Sequence, residues 1–349
     1  MGSFFKLVFF TSLIFSFLYA QDSATANDSL SASQSDDEYA EFFKAEVENP
    51  KSVVEPTVAE ETETEETETE ETESDFSDQV EDLDEDASVE EVSETISEIL
   101  ATIDSSETGE AVDDIVENIL ESGVSQEVAV EAVLSATSES QEITETETVT
   151  AIAQGALDSD TGTADSAAAI SNVVTAVLEA DTDMSETEAV TAIAQGALDS
   201  DTGTADSVAT ISNVVTAVLE ADTDMSETEA VTAIAQGALE SDIGTADSSE
   251  SMRDVVTAVL DSESEVAVSV AVEAVLSATS QSQDISVSET IAAIVVGATS
   301  SQSDVSTSDV LVAILEQNVS ESDIIEGLTS SGLSEQEAAQ ALSDAKKKI

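Results

Sequence analysis

The sequence predicts an all-α protein. It reads as tandem short helices in two-helix units of about 41 residues, forming an α-solenoid or extended bundle, preceded by a disordered acidic segment. Three observations predict this. Residues 148–188 read TVTAIAQGALDSDTGTADSAAAISNVVTAVLEADTDMSETE, and 189–229 repeat them with a few substitutions. A third copy begins at Ala230 and drifts after Leu239, with Gln154, Gln195 and Gln236 marking the period of 41. Such self-similarity is the signature of one supersecondary unit stacked on itself. Within each unit, apolar residues fall at i, i+3 and i+4, which places them on one helical face. A Ser with an acid three residues on precedes the first helix of the unit at Ser185 and again at Ser226, the pattern of a capping box.

The elements follow in chain order. Lys6 precedes the apolar stretch Leu7 to Tyr19, and Ala20 precedes the polar Gln21-Asp22. This pattern reads as a secretory signal over 1–20, because the stretch is short for a bilayer span. Ala24-Thr25-Ala26 offers a second small-residue cleavage site, and an uncleaved anchor is the alternative. Residues 21–87 read as a disordered acidic spacer, with an almost pure Glu/Thr tract at 60–73. Like charges at close spacing repel, and little apolar surface offsets the entropy of ordering. Tyr39, Phe42, Phe43 and Val47 form a small apolar island within it.

Residues 88–349 read as the helical repeat region, clearest over 148–250. The first helix of a unit carries Val190, Ile193, Ala194, Ala197 and Leu198 on one face, behind the cap Ser185-Glu186-Thr187-Glu188. The second carries Ile211, Val214, Val215, Val218 and Leu219, with Asp206 or Ser207 as N-cap. Comparable starts at Ser88, Ser226, Ser306, Ser320 and Ser334 extend the pattern to roughly fourteen helices. VAVEAVLSATSESQEI at 128–143 recurs as VAVEAVLSATSQSQDI at 270–285. The alternating run Val266 to Val272 also fits a strand; the recurring caps and the helical period favour helix.

Composition excludes whole classes of chemistry. The chain has 78 Asp+Glu against 7 Lys+Arg, a formal charge of −71, and no His, Cys or Trp. It therefore lacks a disulfide framework, thiolate or imidazole metal ligands, and a Ser-His pair. Its charge repels nucleic acid backbones. The Gly are scattered, forming no phosphate loop, and near-identical copies leave no place for one special site. The expectation is therefore no enzyme. The last aromatic residue is Phe76, so the core of the array is expected to be small and aliphatic.

Acids recur at the connectors. One unit, 185–225, holds Glu186, Glu188, Asp199, Asp201, Asp206, Glu220, Asp222 and Asp224, and no basic residue. Glu186, Glu188 and Asp206 sit at helix N-termini, where negative charge is favourable. Asp199 with Asp201, and Asp222 with Asp224, follow helix ends, where it is not. The same Asp-x-Asp pattern appears at Asp158 and Asp160, with Asp165 five residues on. The run from Asp158 to Asp165 partly resembles a calcium loop. It departs from the EF-hand pattern because Gly162 falls at position five and no Glu closes position twelve. Divalent cations, Ca²⁺ in the specific case, are the expected cofactor-like partners, with these eight aspartates as candidate ligands.

The function expected is that of a secreted or cell-surface structural component: an acidic spacer, coat, or wall- or mineral-associated matrix protein screened by cations. Its composition is similar to that of acidic extracellular and mineral-matrix proteins, and that resemblance is compositional only. No membrane span remains once the signal is removed, and self-assembly is compatible with interchangeable units. The alternative is an adhesin-like interaction protein binding a basic extracellular partner through the repeats. Arg253, the only basic residue between Lys51 and Lys346, is expected to be an internal counter-charge. Asn27 and Asn318 head glycan-acceptor patterns. Lys346, Lys347 and Lys348 suit the C-terminus of a final helix.

Overall fold

A computed structural model describes residues 76–349, apart from short stretches at 81–82, 84–85, 104–107, 139–142, 160–165, 181, 201–206, 222, 242–247, 263, 265 and 304. The expected signal (1–20), most of the expected spacer (21–87) and the aromatic island lie outside the described residues.

Among the described residues the chain is all helix. A single turn, α1 (Ser77–Val80), precedes α2 (Val89–Leu100), α3 (Thr108–Glu121), α4 (Gln126–Ser138) and α5 (Glu145–Asp158). The repeats continue as α6 (Ser166–Glu179), α7 (Glu186–Asp199), α8 (Ser207–Glu220), α9 (Glu227–Glu240) and α10 (Ser248–Asp261). The array ends with α11 (Val268–Gln281), α12 (Val287–Ser300), α13 (Thr307–Glu316), α14 (Glu321–Ser330) and α15 (Glu335–Ala345). The strand alternative is overturned at Val266 to Val272, where Ala267 is the N-cap of α11 and helix follows.

Local chemistry sets the starts. Ser88, Thr144, Ser185, Ser226, Ser286 and Ser334 each form a full capping box with the Glu three residues on. At Ser185 the hydroxyl donates to Glu188 Oε2 at 2.6 Å, and Glu188 N–H donates back to the hydroxyl at 3.2 Å. Ser306 and Ser320 cap through Asp309 and Asp323. The second helix of the unit begins at Ser207 itself; the alternative cap Asp206 is outside the described residues. At the other ends a buried Ser takes over. Ser159, Ser200 and Ser241 are fully buried and return their hydroxyls to Ala156, Ala197 and Ala238 carbonyls. This satisfies carbonyls that the helix leaves open.

Packing makes two rows. Odd-numbered helices pack in series from α3 through α5, α7, α9, α11 and α13 to α15; even-numbered helices do so from α2 to α14. Sequential helices join the rows. The result is a two-layer α-solenoid whose core lies between the layers. That core repeats with the sequence: Val149, Val190 and Val231, then Ile152, Ile193 and Ile234, are fully buried. Burying each such side chain is worth about 1.5–3 kcal/mol, and no helix can bury its stripe alone.

Successive helices within a row approach closely because of glycine. A Cβ on Gly196 in α7 would lie 2.0 Å from the Thr150 carbonyl of α5, and one on Gly237 in α9 would lie 2.3 Å from the Thr191 carbonyl of α7. Gly155 meets Asp113 of α3 in the same way at 2.4 Å. Further along, Gly297 of α12 meets the Arg253 carbonyl of α10 at 2.6 Å.

That last contact refines the expected 41-residue unit. The sequence of α4 and the connector after it recurs in α11 and the connector after it, seven helices later. Seven is odd, so the two segments occupy opposite layers. The interchangeable element is therefore one helix plus its connector, about half the sequence period. Packing also begins before Ser88: Phe76 is 5% exposed and Val80 3%, and both join the core.

Candidate functional site

Of the eight candidate aspartates, Asp160, Asp165, Asp201, Asp206 and Asp222 lie outside the described residues. Asp158 and Asp199 are the last helical residues of α5 and α7, half-buried. Asp224 is exposed in the connector before α9. Its backbone N–H donates to Glu186 Oε2 at 3.2 Å, a bond from the end of the unit back to its start. Among the described residues, no three or more acids gather as a metal-binding group.

The acids fall into three environments. The first is the capping boxes. The Ser185 hydroxyl and then its backbone N–H hold Glu188 below the ordinary carboxylate value of 4.5, and the same pair of bonds acts on Glu229 and Glu289. These carboxylates are internally satisfied. The second is an open groove of about 530 Å³ where α4, α6 and the start of α5 meet, with Glu127, Glu131, Glu145 and Glu179 along it. No basic residue enters this groove. The third is Asp113.

Asp113 sits on α3 at the edge of a cavity of about 290 Å³ that Thr150, Ala151 and Gln154 of α5 and Gln195 of α7 also line. Its Oδ1 is fully buried with no hydrogen-bond partner. Burial first, then the charges of Asp114 and Asp158, push this carboxyl up to about 7, against the opposing pull of the Asp114 and Asp113 backbone N–H groups. The sequence reading missed Asp113. The available signal was its place in the helix: it is the sixth residue of α3, where α5, α7 and α9 carry Thr150, Thr191 and Thr232.

Positive charge among the described residues is confined to two places. Arg253 bonds Glu250 at 2.6 Å and Asp254 at 2.9 Å, while Ser207 of α8 donates to the other Asp254 oxygen at 2.6 Å. Arg253 thus compensates an acid that is only 7% exposed, the internal counter-charge expected. Lys346 pairs with Glu321 of α14 at 2.5 Å, Lys348 with Asp309 of α13 at 3.2 Å, and Lys347 with Asp344 at 2.6 Å. The lysines therefore tie the end of α15 to the two helices before it.

No helix among the described residues is long and apolar enough to cross a membrane. These features define the class: an acidic, aliphatic, two-layer α-solenoid. No protein-family model, curated protein or solved structure matches the chain.

Proposed function

We propose that this is an exported, repetitive structural protein: an acidic spacer or coat whose charge is balanced by dissolved cations, divalent ones most effectively. One observation carries the reading. From α1 to α9 the sequence holds no basic residue, and the five ion pairs among the described residues all involve Arg253 or the three terminal lysines. Charge on those units meets no internal cation, so counter-charge comes from outside. Repulsion of a few tenths of a kcal/mol per acid pair, repeated along the array, is large against a total stability of about 5–15 kcal/mol. Cations at the connectors act as general screening, with Ca²⁺ held by the Asp-x-Asp pairs as the specific form. Interchangeable helices suit a spacer, because length changes without loss of role. The proposal includes no catalytic step. Export rests on the Lys6-to-Ala20 segment.

The test is a thermal melt of the chain beginning at Gln21, in low-salt buffer, against NaCl, MgCl₂ and CaCl₂. The expected result is a Tm that rises with each salt, with the divalent ions acting at lower concentration. Equal effects of Mg²⁺ and Ca²⁺ point to screening; a Ca²⁺ effect alone points to ligation. A Tm indifferent to all three removes the proposal. The groove bearing Glu127, Glu131, Glu145 and Glu179 favours a second reading, an interaction protein for a basic partner. A lysine-rich peptide that binds the native chain and fails to bind a version with these four acids changed to Gln supports it.

A further inference from the structure

We infer that Asp113 is a proton-operated latch between α3 and α5: protonated, it donates to the Ala151 carbonyl and ties the N-terminal helices to the array, and ionised, it releases them. The repeat itself supplies the argument. Thr191 occupies the place in α7 that Asp113 occupies in α3, the sixth residue of a fourteen-residue helix. Each offers its carbonyl to the glycine of the next helix in its row, at 2.3 Å from the Cβ position for Thr191 and 2.4 Å for Asp113. Across that contact the Thr191 hydroxyl lies 3.3 Å from the Ala233 carbonyl, within reach of its proton, which it shares with the Thr187 carbonyl of its own helix at 2.9 Å. Ala151 is to α5 what Ala233 is to α9, the seventh residue of its helix, and it lines the cavity beside Asp113.

A threonine hydroxyl always carries its proton. A carboxyl carries one only below its pKa, so an Asp in the place of Thr makes any bond across the contact conditional on pH. The buried Oδ1 has no other partner. Its surroundings make the ionised form unfavourable. Asp114 on α3 and Asp158 on α5 add like charge, and Glu147 of α5 lines the same cavity with its carboxylate held by Thr144. From α7 the cavity receives only the neutral Gln195. Glu127 and Glu131 of α4 line the groove on the α6 side, and neither α1 nor α4 carries a basic residue. The matching position in α10 is Arg253, which pairs with the adjacent Asp254, so the other swapped copy resolves the same crowding with a permanent cation.

The sign follows from linkage. A carboxyl raised from 3.8 to about 7 contributes stability below 3.8 and loses it as pH rises towards 7. The experiment is hydrogen exchange of segment 108–121 in the full chain, from pH 5 to 9 at fixed high salt, corrected for intrinsic rates. In wild type the opening constant should climb up to about tenfold per pH unit until about pH 7 and then level off. Asp113→Thr and Asp113→Asn should give flat curves. The carbon-13 shift of the Asp113 carboxyl supplies a reading on the unaltered protein. Wild-type and variant curves that run parallel, or a carboxyl titrating near its ordinary value of about 4, overturn the latch.

Discussion

At the scale of the residue, glycine reverses its usual sign in this array. In an exposed helix interior, Gly to Ala stabilises by about 1 kcal/mol, because alanine has less backbone freedom to lose. At Gly196 the added methyl would meet the Thr150 carbonyl at 2.0 Å, a backbone atom that moves only if α5 and α7 separate. Overpacking of this kind costs about 1–3 kcal/mol, so the clash wins over the propensity gain. Gly196→Ala is therefore expected to lower the urea midpoint by a shift equivalent to up to about 2 kcal/mol net. A midpoint that rises would mean the rows are not held by backbone-to-backbone approach. Single residues also decide the electrostatics. Arg253 and Asp113 occupy equivalent places in α10 and α3, yet one neutralises its acidic neighbour and the other adds to it.

At the scale of the element, the helix and its connector are the exchangeable part, and a pair of them preserves both layers. Deleting residues 185–225 joins Met184 to Ser226, the same dipeptide as the natural Met184-Ser185 and Met225-Ser226 junctions. It sets Gly237 of α9 against Thr150 of α5, where Gly196 now lies. The Thr146-to-Met184 contact at 3.9 Å matches the Thr187-to-Met225 contact at 3.9 Å, so the side-chain surroundings transfer as well. The shortened chain is expected to keep its helical circular dichroism per array residue and a single unfolding transition. Loss of cooperativity would show that α7 and α8 are not equivalent to their neighbours.

The same scale explains how much of the fold was legible. Helix starts were readable because Ser185 and Glu188 satisfy each other within four residues, and the stripe Val190, Ile193, Leu198 is a property of one helix. The layer exchange at α11 was not readable, since the helix keeps its sequence and only its partner in the row changes. Phe76 and Val80 were hidden in a segment whose overall composition is that of a solvated spacer. Asp113 was hidden for a related reason: one more acid among 78 carries no signal until a cavity and an absent partner single it out.

At the scale of the whole molecule, charge moves the pH of greatest stability below the usual range of about 5–8. Two contributions oppose each other on acidification. Protonating Asp113 removes a buried charge in a chain of charge −71, so stability rises as pH falls from 8 towards 5. The capping-box glutamates act the other way. Glu188, Glu229, Glu289 and Glu337 are held below 4.5 by the hydroxyl and backbone N–H of their cap serines. Their contribution is present above 4.5 and is lost as pH falls through their lowered values. The cap glutamates thus keep their charge to lower pH than an ordinary glutamate, and the array is expected to be most stable at about pH 4–5. Salt separates the two contributions. Screening over a Debye length of about 10 Å at 0.1 M weakens the long-range repulsion and leaves hydrogen bonds within a cap almost untouched. Tm measured from pH 3 to 8 should therefore rise on acidification in 10 mM NaCl, rise less in 500 mM, and fall below about pH 4 in both. A Tm that declines steadily from pH 8 to 5 at low salt would mean that repulsion among the acids is not what limits the fold, and would leave the solenoid without need of the cations proposed for it.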